Sequence, residues 1–115
     1  MSIFASKYHS QPVDHDGYHF DSTAEFNHYQ LLKLMQSAGE ISDLIVHPRF
    51  VIIDAYEYQG KMIRKTEYEA DFQYFDHDGT QVVVDVKGFA TQVYLIKKKL
   101  LLQRYSYIKF VETRA

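Results

Sequence analysis

Two extended runs joined by a tight turn constrain the fold of this chain more than any other feature. Tyr68-Glu69-Ala70-Asp71-Phe72-Gln73-Tyr74-Phe75 and Gln81-Val82-Val83-Val84-Asp85-Val86-Lys87 flank Asp76-His77-Asp78-Gly79, a turn sequence whose Gly can take positive φ. Alternate side chains of a strand share a face. The first run therefore places Asp71 and Gln73 on one side and Ala70, Phe72 and Tyr74 on the other. The second places Asp85 with Lys87 and sets Val82, Val84 and Val86 opposite. Folding about the turn brings Asp71 nearly opposite Asp85, give or take a one-residue bulge. Two carboxylates that close repel each other unless a cation lies between them, and Lys87 joins the cluster two residues on. The competing expectation is a polar strand face turned to solvent, the commoner arrangement in an antiparallel sheet.

At 115 residues the chain is expected to form one domain, 1–115. It is long enough to bury a core but small for an enzyme that must grip a large substrate, so dimerisation would help. Two prolines and five glycines argue against extensive disorder. Cysteine is absent, which excludes disulfides and thiolate zinc sites. The opening Met1-Ser2-Ile3-Phe4-Ala5-Ser6-Lys7 lacks the apolar stretch of a signal peptide, and no run reaches membrane-spanning length. A cytoplasmic protein with no membrane partner is the expectation.

The formal net charge of −2 conceals an asymmetry. Residues 1–86 hold fourteen acids and six Lys or Arg, whereas residues 87–111 hold six bases (Lys87, Lys97, Lys98, Lys99, Arg104, Lys109) and no acid. A basic quarter beside an acidic cluster suits a protein that holds phosphates with one surface and metal ions with another. A solvated helix face is the alternative use of those lysines.

Residues 1–20 show no sustained period and read as an arm or loop, with a short extended piece at Tyr18-His19-Phe20. Asp21-Ser22-Thr23-Ala24-Glu25 then predicts a helix start, with Asp21 or Ser22 as cap and Glu25 completing a capping-box spacing from Ser22. Leu31, Leu32, Leu34, Met35 and Ala38 supply the apolar stripe, and Gly39 a stop. Glu25 thus has two readings: a backbone-capping carboxylate, or a third acid aimed at the Asp71–Asp85 site. Asp43 to Tyr56 reads as extended with a bend or edge at Pro48, Tyr58 to Met62 as a turn, and Ile63 to Lys65 as the lead into the Asp71 strand. Gly88 is expected to break the strand after Lys87. Thr91 can cap a helix over Val93 to Tyr105, on which Tyr94, Lys97, Lys98 and Leu101 share a face. Tyr107 to Val111 closes as a strand. A helix crossing between the Asp85 strand and this last one implies a parallel pair in an otherwise antiparallel sheet.

Helix, three strands, helix, strand, with Glu on the first helix, Asp on the second strand and Asp-x-Lys on the third, resembles the core of the PD-(D/E)XK nuclease superfamily. Phe20-Asp21-Ser22 with Glu25 and Tyr29, Ala38-Gly39-Glu40-Ile41, His47-Pro48-Arg49-Phe50, Tyr68-Glu69-Ala70-Asp71-Phe72 and Asp85-Val86-Lys87-Gly88-Phe89 with Thr91 also resemble a family of small phage and prophage proteins. That family is classed as a domain of unknown function and grouped with these nucleases. The resemblance spans roughly residues 7 to 112. It implies an α/β, restriction-endonuclease-like fold: a central mixed β-sheet flanked by helices in the order αβββαβ. It further implies Asp71 and Asp85 as metal ligands, Glu25 as an additional acidic ligand or supporting group, and Lys87 as the catalytic lysine. Ala70 stands where the superfamily often has Pro.

The implied activity is a Mg²⁺-dependent DNA endonuclease, with Mn²⁺ as a substitute, since hard oxygen donors suit these ions. Lys97, Lys98, Arg104, Thr91 and Tyr94 are the expected DNA contacts. Branched recombination or replication intermediates in a bacterial host are the substrates suggested by small dimeric junction resolvases of this fold, an analogy that also implies a homodimer. A nucleic-acid-binding or assembly protein that keeps the fold without turnover is the alternative. The histidines read as surface or loop residues: His15 and His19 lie four apart, but Asp16-Gly17 argues against a helical pair, and His9, His28, His47 and His77 belong to no local ligand motif. Neither a Gly-rich phosphate loop nor a nucleophile elbow is present.

Overall fold

The computed structural model describes residues 11–87 and 90–114. Its framework is a long antiparallel ribbon bent in the middle. One arm runs through β3 (Ile41–Val46) and β4 (Arg49–Ile53), and the other returns through β7 (Thr66–Glu69) and β8 (Phe72–Asp76). β3 pairs with β8 and β4 with β7. The bends on the two arms face each other at His47-Pro48 and Ala70-Asp71. There the His47 N–H donates to the Asp71 carbonyl at 2.9 Å and the Ala70 N–H to the Pro48 carbonyl at 3.0 Å. Pro48 has no N–H to offer a ladder, so the arms must turn where it stands.

Two short strands, β5 (Tyr56–Tyr58) and β6 (Lys61–Ile63), form an exposed hairpin at the ribbon's far end. At the other end β8 turns into β9 (Gln81–Lys87), as the Asp76-His77-Asp78-Gly79 signal predicts. Gly79 has φ +88° and donates to the Asp76 carbonyl at 2.9 Å. β10 (Lys109–Arg114) lies parallel to β9 after a helical crossover, which gives a mixed sheet of order β10-β9-β8-β3. Among the described residues the architecture is α/β, with a mixed central sheet and two helices.

α1 (Thr23–Ser37) begins where the sequence places it: the Glu25 N–H donates to the Ser22 hydroxyl at 3.0 Å. Gly39, at φ +79°, follows its end. Replacing Ser22 with Ala should cost about 1 kcal/mol. The readout is a lower denaturant midpoint at unchanged slope, and an unchanged midpoint would mean that the cap carries no stability. α2 (Gln92–Arg104) is capped by Thr91, whose hydroxyl accepts from the Tyr94 N–H at 3.1 Å. The segment read as an arm contains a small hairpin, β1 (Val13–His15) and β2 (Tyr18–Phe20). Residues 1–10, Gly88 and Phe89 lie outside the described residues.

β9 is covered on both faces. Val82 and Val84 pack with Phe20, Tyr29, Leu32, Ile41 and Phe72 under α1, while Val83 packs with Phe50, Ile52, Tyr68, Ala70 and Leu101 under α2. The Asp85 side of the strand is therefore interior, and the solvent-facing alternative fails there. The unbroken alternation expected over Tyr68–Phe75 also fails. Ala70 belongs to the α2 core and Phe72 to the α1 core, because the bend at Ala70-Asp71 turns the strand from one side of the sheet to the other.

Candidate metal centre

The bend places the acids. β8 and β9 pair with Phe72 opposite Val84, and continuing that register by one residue sets Asp71 opposite Asp85. The Asp71 N–H donates to Oδ1 of Asp85 at 3.2 Å, and the Val86 N–H donates to Oδ2 of Asp71 at 2.6 Å. Asp85 is fully buried, and the Tyr68 hydroxyl donates to its Oδ2. The Lys87 ammonium stands 3.9 Å from Oδ1 of Asp85 and 4.5 Å from the centroid of the Tyr94 ring. Half-buried beside both, it is held by a charge and a π face together.

Glu25 approaches from the first turn of α1 and is only 4% exposed. Its two expected roles are compatible, because its oxygens divide the work. Oε1 accepts from the Asp21 N–H at 3.0 Å, and Oε2 lies 2.9 Å from Nε2 of His47. Glu25, His47 and Asp71 each present a ligand atom, all within 4.8 Å of one another. Two carboxylates and an imidazole on three separate segments fit a divalent cation and lie close enough to bind one.

Burial is the main cause that pushes the Asp71 carboxyl up to about 7, with the neighbouring Glu25 adding to it and the Val86 N–H and Lys87 opposing it. Burial likewise pushes Asp85 up to about 6, against the pull of Lys87 and the Asp71 N–H. Two acids held this far above their ordinary range mark a place where negative charge is poorly compensated by the protein alone.

The family model described as "Protein of unknown function (DUF1064)" matches residues 5–114. The chain belongs to the DUF1064 family. No curated protein matches it at a significant level.

In this DUF1064 chain the sequence-predicted residues divide into two groups. Glu25, Asp71, Asp85 and Lys87 form one continuous constellation across the bend and the end of β9. The basic and aromatic residues of α2 are largely engaged within the protein. The Thr91 hydroxyl caps the helix. The Tyr94 hydroxyl donates to Glu112 on β10, and burial and that carboxylate together raise its pKa. The Lys98 ammonium lies 3.5 Å from the same Glu112 and 5.1 Å from the Phe110 ring centroid. Arg104, at the C-terminal end of α2, bonds Asp54 at 2.9 Å. Lys97 is half-buried on the same helix.

Two site residues escape a sequence reading. His47, expected as a surface or loop residue, lies in the bend between β3 and β4, but there it is three-quarters buried and joined to Glu25. Its signal is the Pro that follows: a His-Pro step inside an extended run marks a bend whose side chains leave the regular alternation. Tyr68 reads as core by its position, and its hydroxyl reaches Asp85 only because the bend three residues later swings the two strands together. Among the described residues no helix is long and apolar enough to cross a membrane.

Proposed function

We propose that this protein is a metal-dependent DNA endonuclease with a restriction-endonuclease-like core of the PD-(D/E)XK kind. The observation that carries the reading is the convergence of Glu25, Asp71, Asp85 and Lys87 from three separated stretches at the ribbon's bend. Bound Mg²⁺ or Mn²⁺ would polarise the scissile phosphate and lower the pKa of the attacking water. Glu25 and Asp71 would hold the ion, with Asp85 bordering it. Lys87, anchored between Asp85 and the Tyr94 ring, orients the water and offsets charge building at phosphorus. In-line attack leaves a 5′-phosphate. Lys97, midway along α2, would supply a cationic contact to the DNA backbone, of the kind that carries affinity without sequence preference. Structure-selective cutting of branched DNA by a homodimer is the form of the activity that fits so small a domain.

One observation favours the non-catalytic alternative: Tyr68 occupies an oxygen of Asp85. Labelled four-way junction, flap, duplex and single-stranded DNA incubated with Mg²⁺, Mn²⁺ or EDTA separates the two readings. Cutting that requires metal, stops with EDTA and leaves ligatable 5′-phosphates is the expected result. Binding of DNA without cutting under every metal condition would instead identify a binding or assembly protein.

A further inference from the structure

The resemblance assigns this site oxygen ligands only, but His47 brings a nitrogen into it. The imidazole is fixed by backbone as well as side chain. The His47 N–H donates to the carbonyl of Asp71, the Pro48 carbonyl accepts from Ala70, and Nε2 reaches Oε2 of Glu25 at 2.9 Å. Neighbouring ligands on an ion with bonds of about 2.1 Å stand about 3 Å apart, so Nε2 and Oε2 already have the separation of adjacent ligands. Asp85, by contrast, is turned inward. The Tyr68 hydroxyl and the Asp71 N–H take its two oxygens, and it is not one of the three residues whose ligand atoms lie within 4.8 Å of one another.

We infer that His47 is a direct metal ligand, and that the centre formed by Glu25, His47 and Asp71 takes first-row transition ions in preference to Mg²⁺, with Mn²⁺, the hardest of them, as the most stringent probe. This deepens the nuclease reading by naming its cofactor class, and it rests on that reading only in treating the cluster as a metal centre. Imidazole suits transition ions, whereas Mg²⁺ keeps to oxygen and gives up water reluctantly. Two carboxylates with one imidazole leave positions on the ion open for water and a phosphoryl oxygen. Asp85 then acts through Asp71 and Lys87, as a positioning residue that holds both.

The test uses the full chain and Mn²⁺ or Mg²⁺ alone, without DNA. Calorimetric titration should show Mn²⁺ binding at least about tenfold tighter than Mg²⁺, the expected consequence of a nitrogen ligand. His47→Gln, which keeps an amide able to bond Glu25, should lose most of that preference while its Mg²⁺ affinity changes little. Electron-nuclear double resonance of the Mn²⁺ complex supplies a readout independent of how the variant folds. Wild-type protein labelled with ¹⁵N-histidine should show a directly coordinated ¹⁵N coupling, which a histidine that merely supports Glu25 would not produce. Absence of that coupling, or Mn²⁺ binding that survives His47→Gln but is lost in Asp85→Asn, overturns the proposal and moves the ion to the Asp71–Asp85 side. Because no cleavage is measured, a negative result here leaves the nuclease reading to its own assay, and failure of that assay would leave a ¹⁵N coupling standing.

Discussion

Lys87→Ala should lower DNA cleavage by about 10³-fold, the loss expected when a positioned charge that stabilises the developing oxyanion is removed. The ammonium forms its ion pair with Asp85 and acts on the Glu25–His47–Asp71 cluster only through its charge at Asp71. It lies 3.9 Å from Asp85 and over the Tyr94 ring, at the half-buried end of β9. Metal affinity should therefore stay within a few-fold of wild type, and the fold should persist. The measurements are single-turnover cleavage and Mn²⁺ titration on the same preparations. Lys87→Arg should recover little, because a planar guanidinium cannot place its charge where a compact ammonium stood. Full activity in Lys87→Ala would remove this residue from the mechanism.

The second large effect concerns pH. In the folded protein Asp85 is pushed up to about 6 and Asp71 to about 7, against an ordinary aspartate value of 3.8. A carboxyl raised on folding favours the folded state fully at pH values below its unfolded pKa. That contribution is lost as pH rises through the folded pKa, because the folded chain then has to surrender a proton it holds more tightly than the unfolded chain does. The window opens near pH 4 and closes near pH 6 for Asp85 and near pH 7 for Asp71.

Asp85→Asn removes one of these charges while keeping a polar group that can pair with the Tyr68 hydroxyl and the Asp71 N–H. Metal-free Asp85→Asn should accordingly match or fall below wild type at pH 4. It should exceed wild type by on the order of 2 kcal/mol at pH 7.5, the scale set by a shift of about two pKa units. Denaturant unfolding of both proteins across that range tests it, and comparing the pair cancels the titrating groups that do not feel Asp85. A stability difference that does not change with pH would show that Asp85 carries no such burden. The same substitution should impair cleavage, so the site would be one at which stability is given up for function.

Most of the topology was legible. The Asp76–Gly79 turn, the Ser22 and Thr91 caps, the Gly39 stop and the parallel β9–β10 pair all follow from local signals of turn chemistry, capping and crossover length. Asp71 opposite Asp85 followed from counting. The bend at Ala70-Asp71 did not, because its cause lies twenty-odd residues away, where Pro48 on the facing arm withholds an N–H and both strands turn together. Tyr68 and His47 escaped for the same reason. Their roles are created by pairing between distant strands, which no local pattern contains. The basic stretch of α2 was legible as composition but not as availability: Lys98 and Tyr94 meet Glu112, just beyond the acid-free run, and Arg104 meets Asp54.

The central claim is that the acids gathered at the bend support metal-dependent phosphodiester cleavage. Its most direct test is single-turnover cleavage of end-labelled branched DNA by wild-type protein and Asp71→Asn, purified in parallel and titrated with Mn²⁺. Wild type should cut in a manner that saturates with Mn²⁺ and vanishes in EDTA, and Asp71→Asn should not cut at any Mn²⁺ concentration. Equal cutting by the two proteins, or cutting indifferent to EDTA, would contradict it.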